Sequence, residues 1–261
     1  MWPLSFISEA DFTEHIKHTI IKYGAKLEPY NVEKFNSNIV DPIKLIFDKM
    51  VYQSSWEELI KNEIFRQRDK SNNNDIGYFH QRIFKYIDKC EVPDEGWDVI
   101  YRNPNGIATA DGETVHTVYV EMKNKHNTMN SSASAKTYMH MQSQLLQDDD
   151  CVCCLVEAIA RHSQDIKWQA SVDGHTMKHK RIRRMSMDKF YALVTGQEDA
   201  FYQMCVILPD AIEKAITNNK IQMPKDSVID ELKECANSRK ISIAMAIYLL
   251  GFSEYTGFNS I

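Results

Sequence analysis

No stretch of this 261-residue chain is apolar for long enough to cross a bilayer; the longest such run, near Ile241 to Phe252, is short and interrupted. The opening Met1-Trp2-Pro3-Leu4 lacks the pattern of a secretory leader. Positive charge is not in excess either. With 31 basic and 36 acidic residues the formal net charge is −5, so any contact with phosphates must come from local basic clusters. Of the 6 cysteines, Cys151, Cys153 and Cys154 fall in an apolar run, and Cys-x-Cys-Cys does not have the spacing of a zinc site. Reduced thiols in a cytoplasm are therefore expected. Internal repeats and low-complexity linkers are lacking. These absences exclude membrane, secreted disulfide-rich, zinc-ribbon and repeat classes.

What is present is an ordinary globular composition, 43% hydrophobic and 26% charged, in a chain long enough for one sizeable domain. Residues 1–90 read as helical. Ser8 to Asp11 resembles a cap, Gly24 is a natural stop, and Asp41-Pro42 opens a helix to about Tyr52. Ser55 and Glu58 form a capping box for a helix to about Asp69. The polar run Lys70 to Asn74 reads as a loop, and Ile76 to Ile87 as a further helix.

The period then changes. Trp97 to Arg102, Ile107 to Ala110 and Val115 to Asn124 read as strands, with turns at Asn103-Pro104-Asn105-Gly106 and Asp111-Gly112. A loop at 127–132 leads into a helix ending near Gln147. The apolar run Cys151 to Ala160 suits a strand covered on both faces. Lys167 to Val172 and Ile182 to Ser186 are further strands, and Met187 to Val194 is a helix stopped by Gly196. The expectation is a single α/β domain with a mixed β-sheet: a helical part over 1–90, a core over 91–196 and a helical part over 197–261.

Alternation along Thr117 to Lys125 places Val118, Val120 and Met122 on one face and Tyr119, Glu121 and Lys123 on the other. The second face sets a carboxylate beside an ammonium at the strand's end. Asp98 lies in the preceding strand-like run. Two carboxylates facing one another repel unless a cation sits between them. A hard divalent cation needs one or two carboxylates, with phosphate and water completing its shell. Asp98 and Glu121 are the candidate metal ligands, the Met122 carbonyl is a third, and Lys123 can orient the water or offset phosphate charge.

An acidic residue on one strand and Glu-x-Lys on the next resemble the site of the PD-(D/E)xK nuclease superfamily. Longer segments resemble one branch, the type II restriction endonucleases that cut GGNCC-type sites. They include Asn38 to Lys44, Asp75 to Gln81, Val120 to Ser132 and Ile182 to Ser186, within a resemblance covering roughly residues 4 to 210. The resemblance implies a restriction-endonuclease-like core and a Mg²⁺-dependent endonuclease of the bacterial cytoplasm. It further implies a homodimer acting on double-stranded DNA at a short, near-palindromic site, 5′ overhangs, and a separate methyltransferase protecting the host. The motif maps onto Asp98, Glu121 and Lys123. The literal Pro-Asp pair is Pro93-Asp94, but a strand position fixes Asp98 opposite Glu121, whereas Asp94 belongs to a turn.

Other candidates surround this set. Lys180, Arg181, Arg183 and Arg184 belong to the densest basic cluster and suit phosphate or guanine contacts. Lys125, Asn127, Asn130 and Ser131 follow the catalytic strand, either as DNA contacts or as an ordinary helix cap. Gln81, four residues after Gly77, can reach the site across a close helix–strand contact or satisfy the core. Glu63 is an accessory metal support by resemblance, or else an ion pair with Arg66. A structure-selective or repair nuclease, and an inactive DNA-binding protein, are the competing readings.

Overall fold

The computed structural model describes residues 2–25, 27–109, 112–126, 129–219, 224–253 and 258. Contacts group the chain into two compact units: Met1–Ile21 with Asn74–Asn219, and Lys22–Asn73 with Lys220–Ile261.

The first unit is built on a six-stranded sheet of order β1-β2-β3-β4-β6-β5, with strands Cys90–Glu91, Val99–Ala108, Thr114–Lys125, Cys151–Ile159, Asp165–Val172 and His175–Ser186 for β1 to β6. β3 pairs antiparallel with β2 and parallel with β4, β4 pairs parallel with β6, and β5 and β6 form an antiparallel hairpin. The sheet is therefore mixed, as expected. Joining two parallel neighbours requires a crossover, and helix α5 (Ser131–Gln147) supplies it between β3 and β4.

Tyr138 and Met141 of α5 are fully buried in a cluster with Trp97, Ile100, Cys153, Leu155 and Trp168. Ile100, Cys153 and Leu155 share a sheet face with Glu121 by register and alternation. Seven consecutive residues of β4, Cys151 to Glu157, are buried, as its unbroken apolar run predicts. All 6 cysteines are free.

The second unit contains α2 (Val32–Asn36), α3 (Pro42–Val51), α8 (Val228–Arg239), α9 (Ile243–Phe252) and the first turns of α4 (Trp56–Arg82). Its core gathers Phe35, Leu45, Ile60, Leu232 and Ile247. Asp41 caps α3 by accepting from the Ile43 and Lys44 amides, and Ser55 with Glu58 makes the anticipated capping box.

Three local expectations change. Lys70 to Asn74 is not a loop, because α4 runs through it. Asn and Ser are weak helix formers rather than breakers, and Asn73 donates to Asp69 one turn earlier at 3.0 Å. Asn103 to Gly106 is not a turn but a register shift within one continuous β2. Gly106 has φ +81°, and a Cβ there would fall 2.5 Å from Thr114. Finally, β6 begins at His175, well before Ile182. Its hairpin turn is Asp173-Gly174, both residues with positive φ. The expected turn at Asp111-Gly112 includes Asp111, which lies outside the described residues. Among the described residues no helix is long and apolar enough to cross a membrane.

Candidate active site

Asp98 stands immediately before β2, still within the ladder: its amide donates to the Val120 carbonyl at 3.0 Å. From there its side chain reaches across to β3, where Oδ2 accepts the Met122 amide at 2.7 Å. Gln81, near the end of α4, donates to Asp98 Oδ1 at 3.0 Å and to its carbonyl at 3.2 Å. The close helix–strand contact is visible at Gly77, where a Cβ would lie 3.4 Å from the Asn124 side chain. Asp94 is exposed in the preceding bend.

Glu121 lies next along β3. Lys123 Nζ is 3.6 Å from its Oε2, and His140 Nδ1 of α5 is 3.7 Å from its Oε1. His140 stacks on Trp97 at 4.3 Å between centroids, and Trp97 donates to Gln144 at 3.2 Å. Burial raises the Asp98 carboxyl above its ordinary range, partly offset by the Met122 amide and Lys123. Burial likewise raises Glu121, and the charge of Asp98 adds to it, against the opposing pull of Lys123 and His140. Two half-buried carboxyl groups thus carry negative charge at a cost, set mainly by burial and for Glu121 also by Asp98, which is the situation a cation relieves.

The donor set itself bears on a metal. Among the described residues no three of His, Cys, Asp and Glu converge on one point. Such a site cannot cage a soft ion, but two carboxylates suit an ion that takes its remaining ligands from phosphate and water. Asp98 and Glu121 fit Mg²⁺ in that sense.

Other candidate residues separate. Arg183 is only 5% exposed; it donates to Asp165 Oδ1 at 2.8 Å and to the Asp165 carbonyl at 2.9 Å. This pairs Arg183 with Asp165 across the β5–β6 hairpin. Lys180 and Arg181 both pair with Glu113, leaving the basic run far less unbalanced than it reads. Asn130 caps α5, accepting from Ala133 at 2.8 Å, and Ser131 is the first, exposed residue of that helix. Asn127 lies outside the described residues. Glu63 in the second unit holds Arg66 at 2.5 and 2.6 Å and accepts from Gln67, the ion-pair alternative. Lys125 and Arg184 line a small cavity beside Lys123.

Sequence reasoning passed over two residues of this face. His140 carries no motif. Glu157, hidden in the apolar run of β4, is 2% exposed and was detectable as the one charge in that run. It sits in register with Lys123 and accepts from Arg184 and from Gln164, with His126 Nδ1 at 3.1 Å.

A half-buried carboxylate pair on neighbouring strands, with a lysine two residues beyond Glu121, is the geometry that the structure sets beside the comparisons with known proteins. The family model described as Eco47II restriction endonuclease matches residues 4–217. This chain belongs to that family, whose members are type II restriction enzymes. It is 27% identical over 266 residues to the type II restriction enzyme Sau96I of Staphylococcus aureus, covering 98% of each chain. It is 28% identical over 219 residues to the type II restriction enzyme Eco47II of Escherichia coli, covering 80% of this chain and 87% of that one.

Proposed function

We propose that this chain makes Mg²⁺-dependent double-strand cuts in DNA at a short, near-palindromic site of the GGNCC class, leaving 5′ overhangs. In this reading it acts as a homodimer in the bacterial cytoplasm, with a cognate methyltransferase shielding host DNA. The observation that carries it is the convergence of Asp98, Glu121 and Lys123 at the end of β3, together with family membership.

Asp98 and Glu121 hold the ion, with the Met122 carbonyl as a further ligand. Mg²⁺ bound there supplies charge relief at the phosphate and eases proton loss from the attacking water. The chain's own residues do the positioning. The Met122 amide and Gln81 pin both oxygens of Asp98, so that its carboxylate needs no rearrangement when DNA arrives. Lys123 orients the attacking water and offsets charge on the phosphoryl oxygens. The apolar wall beneath, from Trp97 to Leu155, keeps bulk water from that side.

Digestion of a plasmid of known sequence in Mg²⁺, followed by sequencing of the ends, tests this. Discrete fragments ending at one GGNCC-type motif support it. Cuts dictated by DNA structure favour a repair-type nuclease, and binding without nicking favours an inactive DNA-binding protein.

A further inference from the structure

Beside Lys123 lies a cavity of about 80 Å³ lined by Lys123, Lys125, Ser134, Glu157, Trp168 and Arg184. Its lining brings three cationic side chains to one carboxylate. That carboxylate is already engaged: Glu157 accepts from Arg184, and burial notwithstanding, the Arg184 and His126 contacts hold it below the ordinary carboxyl range. His126 Nδ1 lies 3.1 Å from Glu157 and 2.7 Å from Arg184 Nη2. One ring nitrogen offers either a proton or a lone pair, so it satisfies only one of them. Arg184 Nε meanwhile is buried with no hydrogen-bond partner. A buried N–H left unpaired is costly, and for a charged group more so.

Arg184 is a strand residue. β4 and β6 pair in parallel register, with Leu155 opposite Arg184 and Glu157 opposite Ser186. The guanidinium is thus anchored by a buried carboxylate on a rigid sheet rather than held on a surface loop. It cannot turn away to water as an exposed arginine does. The enclosed Nε is out of reach of any macromolecule, but a fifth of the Arg184 side chain stays exposed, and with Lys123 and Lys125 it lines the cavity beside the candidate site. On the reading proposed above, the anion that meets three such cations is a DNA phosphate.

We infer that Arg184, braced by Glu157, is a phosphate-binding residue for the DNA strand at a position flanking the one cleaved. Glu157 is its positioning residue. The inference rests on the nuclease reading for the identity of the strand, while its test does not require cleavage. Binding of the full-length protein to a short duplex is measured in Ca²⁺ over a range of salt concentrations, for a duplex with a GGNCC site and one without. Arg184→Ala is expected to weaken both duplexes alike, by about tenfold, and to lower the salt slope by about one. Glu157→Gln, whose amide oxygen still accepts from Arg184, is expected to keep the slope.

Unchanged affinity and slope in Arg184→Ala would overturn the inference, as would a loss confined to the GGNCC duplex, which marks a base contact. Affinity lost equally in Arg184→Ala and Glu157→Gln with the slope unchanged in both would also sink it, because the cluster would then serve only the fold. Should Arg184→Ala not fold, Arg184→Gln carries the same test, since it is neutral and still donates to Glu157. Wild-type protein that binds with this pattern but yields no discrete plasmid fragments would reject the nuclease reading and leave the phosphate contact standing.

Discussion

Lys123 stands 3.6 Å from Glu121 on a strand that cannot slide without turning its side chains to the other face. That rigidity makes Lys123→Ala a clean removal: cleavage should fall by a factor on the order of 10² to 10⁴, while duplex binding measured in Ca²⁺ persists. Retained turnover would refute its role. Gln81 is a subtler case, because it touches Asp98 and not the substrate. Gln81→Leu removes two hydrogen bonds to the Asp98 carbonyl and carboxylate. It should lower kcat by about tenfold with little change in KM, the signature of lost positioning. A matching rise in KM would instead make Gln81 a binding residue. Both residues were readable from the chain, Lys123 from strand parity and Gln81 from its spacing after Gly77. Glu157 stood out only as the one charge in an apolar run, and His140 not at all, since their place depends on which strand of the sheet and which face of α5 end up beside Glu121.

Among the elements, those with strong local signals emerged where expected. The Asp41 cap, the Ser55–Glu58 box and the Gly196 stop all set helix ends through hydrogen bonds made within one turn. Two misreadings have different causes: α4 passes through Asn72 to Asn74 because weak helix formers do not break a helix, and β2 continues through Pro104 because pairing with β3 absorbs a register shift. The order of the strands, with β6 inserted between β4 and β5, was invisible because pairing between strands decides it. One prediction belongs to α1 (Glu9–Ala25). Its His15 is 3% exposed, has Nε2 3.0 Å from the Phe79 carbonyl, and packs tilted against the Phe79 ring at 4.6 Å between centroids. Burial lowers its pKa from 6.5 to about 4. The unfolded chain therefore takes up a proton that the folded one refuses. The associated stability is full above pH 6.5 and is lost as pH falls toward 4, on the order of 3 kcal/mol across that window. Urea titrations at pH 7 and pH 4.5 should show this loss in the wild type, and a smaller one in His15→Phe. An equal loss in both would show that other groups account for it.

For the molecule as a whole, the question is how a chain of net charge −5 engages a polyanion. Lys180 and Arg181 pair with Glu113, and Arg183 pairs with Asp165, so much of the visible basic run is already matched. A bound divalent ion would offset the negative charge of Asp98 and Glu121, both raised by burial and Glu121 further by the charge of Asp98. Metal binding should therefore stabilise the fold in the absence of DNA. An ion at a hundredfold excess over its Kd adds about 2.7 kcal/mol, which for a domain of this size is a rise in Tm of several degrees. Thermal melts of protein freed of metal with EDTA, then given Mg²⁺, should show that rise in the wild type and not in Asp98→Asn or Glu121→Gln. The same two variants should melt higher than the wild type without metal at neutral pH, because each removes a negative charge that burial disfavours. If instead Mg²⁺ raises the melting point of all three proteins equally, the ion binds elsewhere, and the two carboxylates do not form its site.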